Sequence, residues 1–244
     1  MNIMVTGGVG FVGTNLIKRL LKDGHEVISV DNYSTGFKEN EQDGCQYFNV
    51  DLHYTSDYDL WMEKPDTIFH IAALARIQPS LKDPITAIQN NFDSTLNILE
   101  WARSKKCPVV FAGSSSFHHG LWGSPYAWSK HAGEQLCKLY SNVYDLPTAI
   151  CRFYNVYGPH QLESGTYATV LGIFEKQYRE GKPLTVTGDG EQRRDFTHID
   201  DIVDGIVKCH EAMHGVVDMR YAGEIFELGS GVNFSINEIA NMFG

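Results

Sequence analysis

Apolar residues fall along the chain in short runs that alternate with stretches of helical spacing. The first run, Asn2 to Thr6, is a buried-strand pattern followed by Gly7-Gly8-Val9-Gly10-Phe11-Val12-Gly13. Leu16, Ile17, Leu20 and Leu21 then recur at the spacing of one helix face. Further strand patterns cover Glu26 to Val30, Gln46 to Val50, Thr67 to Ala73, Pro108 to Ala112, Thr148 to Phe153, Leu184 to Thr187 and Ile225 to Leu228. Helical patterns separate them. Asp83-Pro84 is a cap followed by proline at the first helical position, and opens a helix to about Lys105. Gly123-Ser124-Pro125 opens another, which runs to Tyr144, and Tyr167 to Glu180, Ile199 to Met213 and a segment starting at Ser235 complete the set. Strands alternating with helices predict an α/β fold, a Rossmann-like doubly wound parallel sheet with a small, mostly C-terminal substrate lobe. The polar loop Asn155 to Gly165 divides a first domain, 1–154, from a reduced lobe, 155–244, some elements of which return to the sheet.

The order strand, Gly-rich turn, helix is what a dinucleotide pyrophosphate requires. Gly7 permits the tight turn, Gly10 lets backbone N–H groups approach phosphate, and Gly13 allows the helix to pack closely. The spacing is G-x-x-G-x-x-G rather than the commoner G-x-G-x-x-G. Asp31, at the end of the second strand, is placed to take ribose hydroxyls and to repel a 2′-phosphate, which favours NAD over NADP. Asp51 ends the third strand, where it suits either an adenine amino group or a helix cap. Ala72 and Ala73 suit backbone lying close under a cofactor, whereas His70 reads as a packed core histidine.

Serines 114 to 116 follow a parallel strand, so they face the crevice where ligands bind in such sheets. Tyr126 and Lys130 stand four apart on one helix face. An adjacent ammonium favours the phenolate, which would make Tyr126 a usable base near neutrality.

Composition narrows the partners. The 244 residues are 43% apolar and 20% charged, ordinary for a folded chain, and the net charge of −10 argues against nucleic-acid or anionic-membrane partners. The five cysteines lack C-x-x-C spacing and read as buried thiols in a reducing compartment, and no metal site is implied. With no basic leader and no run of 18 apolar residues, the expected location is cytoplasmic.

Taken together, TGGVGFVG, Asp31-Asn32, HIAA at 70–73, Asn90-Asn91, SSS at 114–116, YAWSK at 126–130, RFYNVYGP at 152–159 and GDGEQRRDFTHIDD at 188–201 are specific. They resemble the extended short-chain dehydrogenase/reductase family, in its NAD-dependent nucleotide-sugar epimerase/dehydratase branch, over nearly the whole chain. The resemblance implies that Ser115, Tyr126 and Lys130 carry the chemistry: the serine bonds the reacting hydroxyl, the tyrosine is acid/base, and the lysine holds the nicotinamide ribose. It places Phe11, Val12, Asn32, Leu52, Ile71, Asn91 and Phe153 at the cofactor. Ser116 and Asn155 fall with the nucleotide sugar and Arg194 with its diphosphate. Dimerisation through the two long helices is also implied.

Three departures stand out. Only LWGSP separates Gly120 from Tyr126, His118-His119 replaces the common Val-Tyr, and the chain stops at Gly244 where relatives continue. Dehydratases of the family carry Thr-Asp-Glu where this chain has Ser115-Ser116-Phe117. A 4-epimerase is therefore the expected activity, with a reductase, dehydrogenase or dehydratase, or a non-catalytic NAD-binding protein, as alternatives.

Overall fold

The computed structural model describes residues 1–54, 64–215 and 223–243; the Gly244 terminus lies outside them. Seven strands form one parallel sheet: β1 (Asn2–Thr6), β2 (Glu26–Asp31), β3 (Cys45–Asn49), β4 (Thr67–His70), β5 (Val109–Ser114), β6 (Thr148–Phe153) and β10 (Glu224–Leu228). Their spatial order is β10-β6-β5-β4-β1-β2-β3. The winding reverses between β1 and β4, so the carboxyl ends of these two strands open the crevice where such folds take ligands.

Helices cover both faces. α1 (Phe11–Lys22) and α6 (Ile199–Gly215) lie on one side, and α3 (Pro84–Lys105) and α4 (Pro125–Tyr144) on the other. Alternation along β1 makes this explicit: Ile3 and Val5 pack with Leu16, Ile17, Ile202 and Ile206, while Met4 packs with Ile98, Leu99 and Phe111. A strand buried on both faces reads as a continuous apolar run, which is why the sheet is visible in the sequence. Each such side chain, fully buried, contributes about 1.5–3 kcal/mol.

The remaining elements form a smaller cluster. A short α2 (Ile77–Lys82) precedes α3, β7 (Val156–Tyr157) pairs in parallel with β9 (Thr197–His198), and β8 (Arg193–Asp195) pairs antiparallel with β11 (Asn233–Ser235). Leu171 and Phe174 of α5 (Val170–Arg179) pack with Ile236 and Ile239 of α7 (Ile236–Asn241).

Several boundaries differ from expectation. Leu184 to Thr187 is not a strand: Leu184 and Val186 pack into the small cluster, and the Gln177 side chain accepts the Thr185 N–H at 3.0 Å, where a strand would use a neighbouring backbone. α5 starts after Tyr167 and Ala168 because the Thr169 hydroxyl caps it, accepting from Gly172 N–H at 2.9 Å. β4 ends at His70, so Ile71 to Ala73 leave the sheet as loop.

Candidate active site

The crevice is one cavity of ≈ 690 Å3 lined by the Gly-rich turn, Tyr126 and Arg194. In the turn, Gly7 has φ +73, and a Cβ there would come within 2.9 Å of the Ala72 backbone. A Cβ on Gly13 would meet the Gly7 carbonyl at 2.1 Å, so helix α1 can sit against the turn only with glycine at 13. Gly10 precedes α1 with no side-chain cap, which leaves first-turn N–H groups to the cavity.

Asp31 accepts the Val9 N–H at 3.1 Å and the Tyr33 N–H at 2.8 Å. Burial raises its carboxyl, and those two bonds offset part of the rise. Asp51 accepts from Asn32 Nδ2 at 3.2 Å and from the His53 N–H at 3.0 Å, and both Asp51 and Asn32 line the cavity. Phe11, Val12, Leu52, Ile71, Ala72, Ala73 and Phe153 line it too, along with Ser115, Ser116, Asn155 and Arg194.

Two expected site residues lie beneath the cavity wall. Asn91 is buried on α3, where its side chain accepts the Leu74 N–H at 2.8 Å and donates to Leu74 O at 3.3 Å and Ser129 Oγ at 3.0 Å. It therefore ties the loop after β4 to both long helices. Lys130, 5% exposed, places Nζ 4.7 Å from the centre of the Phe111 ring. Burial pushes its ammonium down to about 8, against the pull of Glu134.

The phenol of Tyr126 differs from expectation. Burial raises it above its ordinary 10, and the groups that oppose the rise are the Ser114 hydroxyl and the Arg76 guanidinium. Lys130 is engaged with Phe111 and Glu134 instead, because a buried ammonium gains most from a ring face and a carboxylate. Ser114 also accepts the Ser116 N–H at 3.2 Å, holding the serine turn.

His70 is a core histidine with a defined tautomer. Thr95 donates its hydroxyl to Asn91 O at 2.7 Å, so it accepts from His70 Nε2–H at 3.1 Å. Thr6 Oγ1 accepts the Ala72 N–H at 3.1 Å and donates to His70 Nδ1 at 2.8 Å. This neutral ring links β1, α3 and the cavity loop. Burial, with the Lys130 charge, pushes His70 from 6.5 down to about 3. Above pH 6.5 the folded and unfolded rings are both neutral and the stabilisation is complete. As pH falls from 6.5 towards 3 the unfolded chain takes up a proton that the folded one refuses, which costs about 1.4 kcal/mol per pH unit. In urea unfolding between pH 6 and 4, a His70→Gln variant is expected to show a stability slope shallower by about one proton; an unchanged slope would contradict this account of the ring.

Residues on the cavity wall that spacing did not single out include Arg76 and Tyr167. A lone arginine in a loop carries no periodic signal. His118 stacks on Tyr154 at 6.1 Å between centroids and pairs with Glu227 at 3.0 Å, whereas His119 turns to the cavity. Among the described residues no group of three His, Cys, Asp or Glu is arranged to hold a metal.

The parallel sheet, the Gly-rich crevice and the Tyr126 wall define a dinucleotide-binding protein with an acid/base group facing the same cavity. Residues 3–229 match the model of the NAD dependent epimerase/dehydratase family, and the chain belongs to that family. It is 30% identical to a putative UDP-glucose 4-epimerase from Methanocaldococcus jannaschii, over 97% of this chain and 79% of that protein. It is 32% identical to a UDP-N-acetyl-alpha-D-glucosaminuronate decarboxylase from Bacillus cytotoxicus, over 97% and 77%. Among solved structures, UDP-glucose 4-epimerase from Thermotoga maritima with UDP-glucose aligns with TM-score 0.91 at 27% identity, covering 100% of this chain and 81% of that one.

Proposed function

We propose that the protein is a nucleotide-sugar 4-epimerase. The observation that carries this reading is that one cavity is lined by the Gly7 turn and Asp31, by Ser115 and Tyr126, and by Arg194. The residues fit NAD. The close approach at Gly7, the uncapped start of α1 and the fixed Asp31 carboxylate suit a pyrophosphate and a ribose diol, with Asn32, Asp51, Leu52 and Phe153 alongside. When bound, NAD supplies a hydride acceptor that returns what it takes, so the reaction is redox-neutral overall.

The chain's own residues handle protons and position. Tyr126 takes the proton from the sugar 4-hydroxyl as oxidation proceeds and gives it back on reduction, Ser115 orients that hydroxyl, and Lys130 with Asn91 holds the cofactor side of the pocket. Asn155 and Arg194 take the nucleotide diphosphate. Residues from 155 onward act as the substrate lobe. Inversion follows if the 4-keto sugar turns over before hydride returns.

Elimination of water is disfavoured by Phe117, whose ring lies 3.9 Å under the Arg152 guanidinium and carries no proton to give. The free, mostly buried cysteines support a reducing, cytoplasmic setting. Phe92, Trp128, Leu136 and Leu139 form a shallow apolar patch on α3 and α4 that suits a second copy of the chain.

Incubation with UDP-, dTDP- and GDP-sugars, followed by NMR of the sugar and absorbance of NADH, tests the reading. Inversion at C4 without net NADH is expected. Net NADH change would replace the epimerase with a reductase or dehydrogenase, and NAD binding with no turnover of any sugar would leave a non-catalytic binder.

A further inference from the structure

Arginines elsewhere in the structure are neutralised. Arg19, Arg103, Arg152, Arg179 and Arg193 each hold a carboxylate within an ion pair. Among the described residues the two that do not are Arg76 and Arg194, and both line the same cavity. Arg194 stands in the substrate lobe, on β8. Arg76 stands in the loop between β4 and α2, where its charge acts on Tyr126.

Arg76 is held in place. Its Nε donates to the Tyr167 carbonyl at 2.9 Å, which fixes the plane of the guanidinium. The terminal nitrogens have no described partner, and burial lowers the pKa of the group. A half-buried arginine on the cavity wall whose fork has no anion presents that fork to a carboxylate or phosphate entering the cavity. The position of the charge selects between them. Gly7 and the start of α1 form the pyrophosphate turn and Arg194 stands on β8 of the substrate lobe, whereas Arg76 acts electrostatically on the Tyr126 phenol, where the sugar reacts. An anion at that point is carried by the sugar itself.

Resting on the nucleotide-sugar reading above, we propose that Arg76 recognises a carboxylate on the sugar, so that the substrate class is a nucleotide-linked uronic acid. The guanidinium accepts no proton and breaks no bond in this role: it binds and orients the acid sugar, and sets preference against the neutral one.

Calorimetric titration of the NAD-loaded full chain with UDP-glucuronate, UDP-glucose and UDP separates the possibilities. The acid sugar is expected to bind about 10- to 100-fold more tightly than the neutral sugar, the range of a charge-assisted pair. In Arg76→Gln the ratio of the two affinities should fall to about one, and Arg76→Lys should restore part of it. Equal binding of acid and neutral sugar by the unaltered chain overturns the assignment of Arg76 while leaving nucleotide-sugar binding intact. A loss in Arg76→Gln that is as large for UDP as for UDP-glucuronate also overturns it, since the anion would then be the diphosphate. Binding of none of the three overturns both readings together. Should Arg76→Gln fail to fold, the comparison in the unaltered chain decides alone.

Discussion

A Tyr126→Phe variant is expected to keep NAD and lose turnover by about 100-fold or more, the usual scale for a positioned acid/base group. The substitution removes one hydroxyl and leaves the ring, which sits in the first turn of α4 behind a Ser124 cap that accepts the Ala127 N–H at 3.1 Å. Folding and the Gly-rich end of the cavity are untouched. What disappears is the one titrating oxygen on the wall between Ser114 and Arg76. The pH dependence adds a second signature. Burial raises the phenol, so the proton-accepting form grows as pH rises, and the rate of the unaltered chain should climb through the alkaline range. That limb should vanish in the residual activity of Tyr126→Phe. Single-turnover measurement of sugar stereochemistry on NAD-loaded protein reads both effects, and an unaffected rate would remove Tyr126 from the mechanism.

How far the sequence carried depends on what each feature rests upon. The central sheet was legible because β1, β4, β5 and β6 are covered on both faces, so burial prints an apolar run for each strand. The turn was legible because Gly7 and Gly13 answer to close backbone contacts that no other residue meets. Tyr126 and Lys130 were legible as a pair by helical spacing. Their relation was not, since spacing fixes only the face, and Lys130 bends beneath that face to Phe111 and Glu134. The strands β8 and β11 escaped for a different reason: they are three residues each and pair across about forty residues of chain, as in Arg194 with Phe234. Helix α2 is six residues with Pro79 inside it, too short for any periodicity to register. Arg76 shows the limit most clearly. Its neighbours in space, Tyr126 and Tyr167, lie 50 and 91 positions away, and only folding brings them to one wall.

The second large effect lies under the serine turn. Glu134, 1% exposed, accepts Arg152 Nε at 2.9 Å and Nη2 at 2.7 Å, and Arg152 is itself 5% exposed. Removing one partner of such a pair strands the other charge, which costs about 3–5 kcal/mol. Glu134→Ala should fall near the lower end, about 3 kcal/mol, because Arg152 keeps Glu227 at 2.9 Å and the Phe117 ring. Lys130 also loses the carboxylate that draws its ammonium upward, so the buried amine becomes harder still to keep charged. The location ties stability to the site: a Cβ on Gly113, just before the serines, would lie 2.9 Å from Glu134 Oε1. Replacing both charges, as Glu134→Leu with Arg152→Met, should cost less than Glu134→Ala alone, since neither charge is then left without its partner. Urea unfolding at pH 7 measures all three chains. A loss below about 1 kcal/mol in Glu134→Ala, the scale of a solvated surface pair, would mean that the ion pair does not hold the base of the serine turn.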